Sequence, residues 1–440
     1  MLDLRDIFVT LVVFGSVPFI LKRPWIGIII WAWLGYMNPH KLSWGFARDM
    51  PFAQIVAITT VLALLLSKES KKIPWTRETV VLLIFIVWMF ITTVFSLLPE
   101  FAWPQMEKVA KIQFMTFLTL ILITSRDRLQ LLVWVIALSL SFYGVKGGIF
   151  TLLGGGTDAV MGPEGTFIGQ NNEIGLALIM TVPLLRYLQL STDKAWLRRG
   201  IMAAIVLTAI AIVGTQSRGA LVGITAMGLF LWLKSPGKGK FFTAVLLAGV
   251  AFLIVNIMPE KWYDRMATIQ TYEADRSAMG RINSWGFAFN LAKGRALGGG
   301  YECFQSEIFS QYAPNPADVH DAHSIYFEVL GEHGFIGLAL FLALGLMTWR
   351  TGSWVIKTAR DDPDKKWAGD LASMIQVSMV GYATGGAFLG LAYFDFYYHL
   401  VVMIVLCKVI LLKQAGLQGQ SVATGAWQSA GSISIGTKKT

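Results

Sequence analysis

Apolar runs long enough to cross a membrane recur along this chain and constrain its fold more than any other feature. Segments 79–98, 129–152 and 325–349 are examples, and a membrane-spanning helix needs about 20 predominantly apolar residues. Of the 440 residues, 55% are hydrophobic and 15% are charged, whereas a soluble domain carries about 25% charged residues. The sequence therefore predicts an all-α polytopic membrane protein and excludes a soluble fold.

The number of spans is predicted as about 12 transmembrane helices, within a range of 11–13. The uncertainty lies at the N-terminus, where two short candidates are separated only by Lys22, Arg23 and Pro24. The candidate spans are 6–21, 25–38, 52–67, 79–98, 112–125, 129–152, 174–190, 200–215, 219–233, 241–258, 325–349, 369–390 and 399–413.

Positive charge is concentrated in short loops between these spans. The formal net charge is +10, which by itself is compatible with nucleic-acid binding. Lysine and arginine, however, cluster in alternate loops, which is the distribution expected of cytoplasmic loops in an inner membrane protein. We therefore expect membrane lipids and no nucleic acid as partners. The basic loops are 68–77, 126–128, 194–199, 234–240 and 350–366.

This topology leaves segments 38–51, 153–173 and 259–324 on the outer face. We divide the chain into N-terminal transmembrane helices (1–152), a core (153–414) that includes the long loop 259–324, and a Gly/Ser-rich cytoplasmic tail (415–440) predicted to be disordered. The long loop is predicted to form an ordered lid with a turn at 298–300. Its apolar side chains are Trp262, Trp285, Phe287, Phe289 and Tyr301.

Arg218, in the stretch GTQSRGA, lies between two apolar spans on the outer side. One interpretation is an arginine whose head group reaches from a helix end to the interface. The other is a cation facing a polar cavity, because ionisable groups at membrane depth often mark substrate paths. The residue pattern leaves both open.

Arg281 is the second candidate cation and lies in the long outer loop. Segment 259–322 contains six basic and eight acidic residues, so a general basic patch is excluded and an anion site would need specific arginines. Arginine suits phosphate because its planar fork donates two parallel hydrogen bonds. A surface ion pair is the alternative.

The stretch VHDAHSIYFEVLGEHGFIG (319–337) concentrates ionisable groups at the start of an apolar span. His320 and His323 are three residues apart and would share a face of a helix, with Asp321 between them. The pair falls short of a recognised metal-ligand pattern. An imidazole is also the usual general base near neutral pH. Metal binding, base catalysis and helix capping all remain open on spacing alone.

Four segments together resemble the O-antigen ligase and polymerase superfamily. They are GTFIGQNNEIG (165–175), TQSRGA (215–220), GRINSW followed by LGGGYECF (280–304), and His323 followed by SIYFEVLGEHGFIGLALF. The N-terminal stretches MNPHKLSWGFA and FYGVKGGIFTL resemble the extension of an O-glycosylation ligase subgroup. Ser324 stands where the family usually has Asn, and Asn172 where it usually has Pro.

The resemblance implies a metal-independent, inverting glycosyl transfer that needs no cofactor. The donor would be a glycan on undecaprenyl diphosphate, and the acceptor a sugar hydroxyl of lipid A–core at the periplasmic face of a bacterial inner membrane. It assigns His323 as the general base, Arg218 and Arg281 as diphosphate ligands, and Arg265 as a possible third. O-antigen polymerase and protein O-oligosaccharyltransferase share these motifs. A transporter of lipid-linked sugars is disfavoured because the ionisable cluster lies at one face.

Further residues are assigned to the periphery of the site. We expect Lys146, Glu164, Gln170 and His320 to be possible members of the sugar or phosphate path, although interfacial snorkelling explains Lys146 about as well. His333 is predicted to be interfacial. Glu332 matches a family position but has no role that the residues alone supply.

Overall fold

The computed structural model describes residues 3–235, 258–267 and 276–416, together with residues 237, 239–241, 244, 248, 249, 251, 252 and 256. Regular secondary structure in this part of the chain is helical. The α-helices are α1 (Leu4–Lys22), α2 (Trp25–Met37), α3 (Phe52–Leu66), α4 (Arg77–Val94), α5 (Pro99–Leu122), α6 (Arg126–Leu153), α7 (Asn171–Ser191), α8 (Ala195–Gly214), α9 (Arg218–Lys234), α10 (Glu260–Ala267), α11 (Arg276–Gly294), α12 (Ser306–Tyr312), α13 (Ile325–Ala359), α14 (Lys366–Gly385) and α15 (Asp395–Gln414). Two 3₁₀ helices, Pro39–Leu42 and Phe46–Asp49, follow α2.

Seven of the described helices are long and apolar enough to cross a membrane: α1, α4, α6, α7, α8, α13 and α15. Helices α2 and α3 are shorter and also apolar. The predicted all-α polytopic membrane fold is confirmed. The predicted span 241–258 and residues 417–440 of the predicted tail lie largely or wholly outside the described residues. The total of about 12 helices therefore stays a prediction.

Helices α7 and α15 lie at the centre of the bundle, where 83% of the apolar stretch of each helix is buried inside the protein. Helix α14 packs against α7, α9 and α13, while α13 also packs against α4 and α11. Peripheral helices instead carry exposed apolar side chains, such as Phe8 on α1 and Phe90 on α4. An apolar surface of this kind is compatible with lipid contact rather than with water.

One hydrophobic cluster joins the N-terminal helices to the rest of the bundle, extending from Val9 on α1 to Leu411 on α15. Helix α6 packs along α8, and α5 packs against α15. The described helices therefore share a core across residue 152, and the domain boundary there remains a prediction.

The long outer loop is largely ordered around α11 and α12. Phe287 and Leu291 are buried with Phe309 in a second hydrophobic cluster. The predicted turn at 298–300 is present, and Gly298 and Gly300 adopt φ values of 65° and 83°. Trp262 and Tyr301 are also buried, whereas Phe289 is 49% exposed and does not contribute to this core.

Helix α13 is broken at Gly334, which has φ 67° and ψ −173°. A Cβ atom at this position would lie 2.2 Å from the Ala296 carbonyl oxygen, so only glycine fits the close approach. The break removes hydrogen bonds within the helix and exposes main-chain carbonyls to other partners.

Those carbonyls are satisfied by other elements. The amides of Gly299 and Gly300 donate to the carbonyls of Gly331 and Glu332 at 2.8 and 2.9 Å. The indole Nε1 of Trp88 donates to the next carbonyl, that of residue 333, at 2.9 Å. The turn at 298–300 is thereby held against the outer end of α13.

Candidate active site

His323 lies in the extended segment that leads into α13. Its φ of 42° places it in the left-handed region, and the Ile325 amide two residues later donates to the Gly386 carbonyl at 2.8 Å. Residues 318–323 are not helical, so the expectation that His320 and His323 share a helix face is wrong. His320 Nε2 instead contacts Asp318 Oδ1 at 2.9 Å.

Consecutive polar side chains of α11 hold this segment. Asn283 Nδ2 donates to the carbonyls of Asn315 and Asp318 at 2.8 and 2.9 Å. Ser284 Oγ donates to the His320 carbonyl at 2.8 Å. The motif GRINSW therefore has a structural explanation: α11 binds the main chain that positions the histidines.

Trp285 completes this attachment. Its Nε1 donates to the Ala322 carbonyl at 2.9 Å, and its ring stacks on Phe327 with 4.9 Å between centroids and a 7° interplanar angle. The residue immediately before His323 and the first turn of α13 are thus fixed by one side chain. The sequence analysis assigned no role in the site to Asn283, Ser284 or Trp285. Three consecutive residues with side-chain hydrogen-bond donors, close to Arg281, could have indicated that this helix binds a neighbouring main chain.

The imidazole of His323 is half-buried, and its surroundings favour the neutral form over the protonated form. Burial lowers the pKa of His323 below its ordinary value, and the Arg281 guanidinium and the His320 ring act in the same direction. The Asp321 carboxylate opposes them. Because the neutral form dominates at physiological pH, the ring is able to accept a proton. Arg281 lies on α11 next to Gly280, where a Cβ would be 2.4 Å from the His320 ring, so this helix packs against the segment that carries His323.

Arg218 reaches the same end of the bundle from α9. It is the first residue of this helix and is half-buried. A Cβ at the adjacent Gly219 would lie 2.9 Å from Leu389 Cδ2. Leu389 belongs to the loop whose Gly386 carbonyl accepts the Ile325 amide. Gly219, next to Arg218, and Ile325, two residues after His323, thus approach the same short loop.

Backbone strain marks the same region. Three non-glycine residues here adopt left-handed conformations: Gln216 with φ 54°, Glu302 with φ 56° and His323 with φ 42°. Each such conformation costs of order 1–3 kcal/mol and persists only where the surrounding structure enforces it. The clustering supports a functional site at this end of the bundle.

The predicted peripheral residues lie elsewhere on the outer surface. Glu164 is exposed and its Oε2 lies 3.5 Å from Arg48 Nη2. Gln170 precedes α7 and is exposed. The described hydrogen bonds and ion pairs do not connect Glu164 or Gln170 to His323, so their place in a sugar path stays a prediction.

Lys146 has no described hydrogen bond or ion pair to His323. Lys146 is exposed on α6, beside the exposed apolar side chains of Ile149 and Phe150. This surrounding is compatible with the snorkelling interpretation. Arg265 lies in α10, and its side chain falls outside the described residues.

His333 is not interfacial, and that prediction is wrong. It is 0% exposed, its Nδ1 lies 2.7 Å from Thr92 Oγ1, and the Tyr301 ring meets it edge-on with 4.6 Å between centroids. The break at Gly334 turns His333 inward, which a regular helical reading of the sequence does not anticipate.

Glu332 has a positioning role that the sequence did not supply. Its Oε1 accepts the Glu302 amide at 2.7 Å, and its Oε2 accepts the Tyr393 hydroxyl at 2.5 Å. The side chain is 4% exposed. One buried carboxylate therefore joins the loop after the glycine turn to the segment before α15.

Within the described residues, no group of three or more His, Cys, Asp or Glu side chains is placed to hold a metal ion. His320 and Asp318 contact each other, and His323 lies further along the same segment. Metal independence of the reaction stays a prediction.

An apolar cavity of about 260 Å³ opens between α13 and α14. It begins at Ile325 and Tyr326, next to His323, and extends to Trp349.

Comparison with known families divides the chain into two matched regions. Residues 4–193 match a family of unknown function (DUF5935). Residues 203–342, which include Arg218, Arg281 and His323, match the O-Antigen ligase family. No curated protein matches the chain. The second match supports an O-antigen ligase or polymerase type of function in a multi-pass membrane protein, and hence a glycosyltransferase-type enzyme. Residues 203–342 of this chain are therefore similar to the O-antigen ligase superfamily.

Proposed function

We propose that this protein transfers a glycan from undecaprenyl diphosphate to a sugar hydroxyl of lipid A–core, with inversion and without a metal, at the periplasmic face of the bacterial inner membrane. The observation that carries the proposal is that α11, which carries Arg281, binds the main chain just before His323 through Ser284 and Trp285. Both residues lie inside the region that matches the ligase family, and burial favours the neutral form of His323 by lowering its pKa.

The reaction requires a base on the acceptor and positive charge at the leaving group. The neutral imidazole of His323 takes the proton of the acceptor hydroxyl as its oxygen attacks the anomeric carbon. The bond between that carbon and the phosphate oxygen breaks, and its electron pair leaves with the diphosphate. Attack from the opposite face inverts the anomeric configuration.

Arg218 and Arg281 are proposed to bind the diphosphate, with Arg265 as a possible third ligand. Negative charge grows on the leaving diphosphate in the transition state, and preorganised cations stabilise it most effectively where water is scarce. Arginine meets two phosphate oxygens at once through its planar fork.

The apolar cavity between α13 and α14 suits the polyprenyl chain of the donor. It starts beside the segment that carries His323 and is lined by apolar and aromatic side chains such as Phe341 and Leu346. A hydrocarbon chain lying there would bring its diphosphate to the start of α13, which follows the segment that carries His323.

The central test is glycan transfer by the purified full-length protein in lipid vesicles, with lipid-linked glycan and lipid A–core. His323→Ala and His323→Gln should lower the rate by about 10²–10⁴-fold, because that is the usual contribution of a positioned base. His40→Ala is the matched histidine control, because His40 lies in the outer 3₁₀ helix Pro39–Leu42. Transfer within tenfold of wild type by folded His323 variants would remove it as the base.

The arginines are tested by substitution with lysine. Arg218→Lys and Arg281→Lys should weaken donor binding, because lysine keeps the charge and loses the fork. Arg199→Ala provides a control at an exposed arginine of α8. Full donor affinity in both lysine variants would contradict bidentate binding. Chelation by EDTA should leave transfer unchanged, and inhibition reversed by Mg²⁺ or Zn²⁺ would contradict the metal-free mechanism.

Acceptor identity is tested by offering lipid A–core, a second lipid-linked repeat and an acceptor protein side by side. Preferential elongation of the lipid-linked repeat would indicate a polymerase, and transfer to the protein an O-oligosaccharyltransferase. A transporter would move lipid-linked glycan across the vesicle membrane without forming a new glycosidic bond, and would keep that flux in His323→Ala.

A further inference from the structure

A polar cavity of about 450 Å³ lies between the turn that joins α1 to α2, the segment after α3 and the start of α6. Helix α6 is 28 residues long, or ~42 Å at 1.5 Å per residue. Just beyond its other end, the carbonyls of Gly156 and Thr157 accept hydrogen bonds from Gln216 Nε2 at 2.9 and 3.2 Å, two residues before Arg218. The cavity therefore lies at the end of the bundle opposite to the candidate active site.

One ion pair forms part of the cavity wall. Arg128 donates through Nη1 and Nη2 to the two carboxylate oxygens of Glu69, at 3.1 and 2.8 Å, and its guanidinium lies 5.2 Å from the centroid of the Trp25 ring. The Arg128 and Glu69 side chains are 22% and 24% exposed. This contact joins α6 to α2 and to the segment after α3, and the two charges neutralise each other.

Two further charged side chains line the cavity. Arg23 follows the last residue of α1, and Asp127 lies in the first turn of α6. Both are exposed, and neither forms an ion pair with any side chain in the described part of the chain. The cavity thus offers one cation and one carboxylate to a ligand and carries no net charge. A ligand with only negative charge would be repelled by Asp127, and one with only positive charge by Arg23.

The rim of the cavity is apolar. Leu131, which lies one turn after Asp127 on α6, lines the cavity and is 39% exposed. Leu65 and Leu66 end α3 just before the segment of Glu69, and they are 64% and 84% exposed. Exposed apolar side chains at the ends of membrane helices contact lipid, and charged groups beside them lie at the level of the headgroups. A charged cavity with an apolar rim matches a headgroup joined to acyl chains.

We propose that this cavity binds the headgroup of a phospholipid that carries both a phosphate and a primary ammonium group, as phosphatidylethanolamine does. Arg23 donates hydrogen bonds to the phosphate oxygens. Asp127 accepts an N–H group of the ammonium. The bound lipid holds the turn between α1 and α2 against the start of α6. This site is independent of the proposed glycan transfer.

The test measures phospholipid binding to the full-length protein in detergent micelles, by the fluorescence anisotropy of lipids labelled on an acyl chain. The wild type should bind phosphatidylethanolamine roughly tenfold more tightly than phosphatidylcholine, whose trimethylated ammonium has no N–H group, or phosphatidylglycerol, which has no cation for Asp127. Asp127→Asn should lose the preference for phosphatidylethanolamine over phosphatidylcholine. Arg23→Gln should weaken the binding of both lipids by roughly tenfold, because both contain the phosphate.

Arg126→Gln and Asp193→Asn are the matched controls. Both residues are exposed and do not line the cavity. They lie at the same end of the bundle, where Gln130 Nε2 on α6 donates to Ser191 Oγ on α7 at 3.3 Å. Both control variants should bind the three lipids as the wild type does. Asp127→Gln replaces Asp127→Asn if that variant does not fold, because glutamine is the better helix former.

Four results would overturn the proposed lipid site. Equal affinity of the wild type for the three lipids would indicate non-specific partition, and tighter binding of phosphatidylglycerol would indicate a site for anionic lipid. A preference for phosphatidylethanolamine that persists in Asp127→Asn would show that this carboxylate does not recognise the ammonium. Displacement of the labelled lipid by an equimolar amount of glycerophosphoethanolamine would indicate a water-soluble ligand with the same headgroup chemistry.

Discussion

Replacement of Glu332 by alanine should destabilise the outer end of the bundle more than replacement by glutamine. The Glu332 carboxylate accepts two hydrogen bonds, from the Glu302 amide at 2.7 Å and the Tyr393 hydroxyl at 2.5 Å. Alanine leaves both donors without an acceptor. Glutamine keeps an oxygen for the amide and presents its own amide group to the tyrosine.

The size of the effect follows from these two groups. An unsatisfied buried donor costs about 1–3 kcal/mol, so two cost about 2–6 kcal/mol. At roughly 2 °C per kcal/mol for a large domain, the apparent Tm should fall by about 4–12 °C in Glu332→Ala. Glu332→Gln should lose less than half of that.

The measurement is thermal unfolding of the protein in nanodiscs, followed by intrinsic fluorescence at one scan rate for all variants. Transfer activity measured in parallel shows whether the Glu302 turn is needed for the reaction. Equal falls in Tm for the alanine and glutamine variants would refute the argument, because the hydrogen bonds would then not distinguish them. An unchanged Tm in Glu332→Ala would refute it as well.

Three further predictions concern the broken helix and the base. Gly334→Ala should lower the Tm sharply, because Gly334 has φ 67° and an added Cβ would lie 2.2 Å from a carbonyl oxygen. The control Gly15→Ala should leave the Tm unchanged, because nothing lies within 4 Å of an added Cβ there, and similar Tm values for the two variants would contradict the prediction. The transfer rate should fall at acid pH with a midpoint below pH 6.5, because the pKa of His323 is lowered and the base stays neutral to lower pH. Asp321→Asn should move this midpoint further down, because the Asp321 carboxylate raises the pKa of His323. A midpoint at or above pH 6.5 in the wild type would exclude His323 as the titrating base. Trp285→Phe keeps the ring and removes the indole donor, so kcat should fall by up to about tenfold with little change in Tm, and an unchanged kcat would show that this hydrogen bond does not position the base.

The motif residues were the most predictable part of the site. His323 and Arg281 were selected by the order of the motifs, and the structure shows that α11, which carries Arg281, binds the segment that carries His323. Their roles in transfer remain predictions. The supporting residues were less predictable, because Glu332 and Trp285 act through main-chain atoms far away in the sequence.

Hydropathy and charge distribution were enough to identify an all-α membrane protein, because burial of apolar surface and positive loops are local properties of the chain. The break in α13 at Gly334 could not be predicted from hydropathy and charge. A glycine within an apolar helical pattern is ordinary until another carbonyl approaches it, and here that carbonyl comes from Ala296. The inward turn of His333 and the binding of the glycine turn by α13 both depend on such long-range contacts. Packing between distant segments therefore decided which of several similar ionisable residues surround the site.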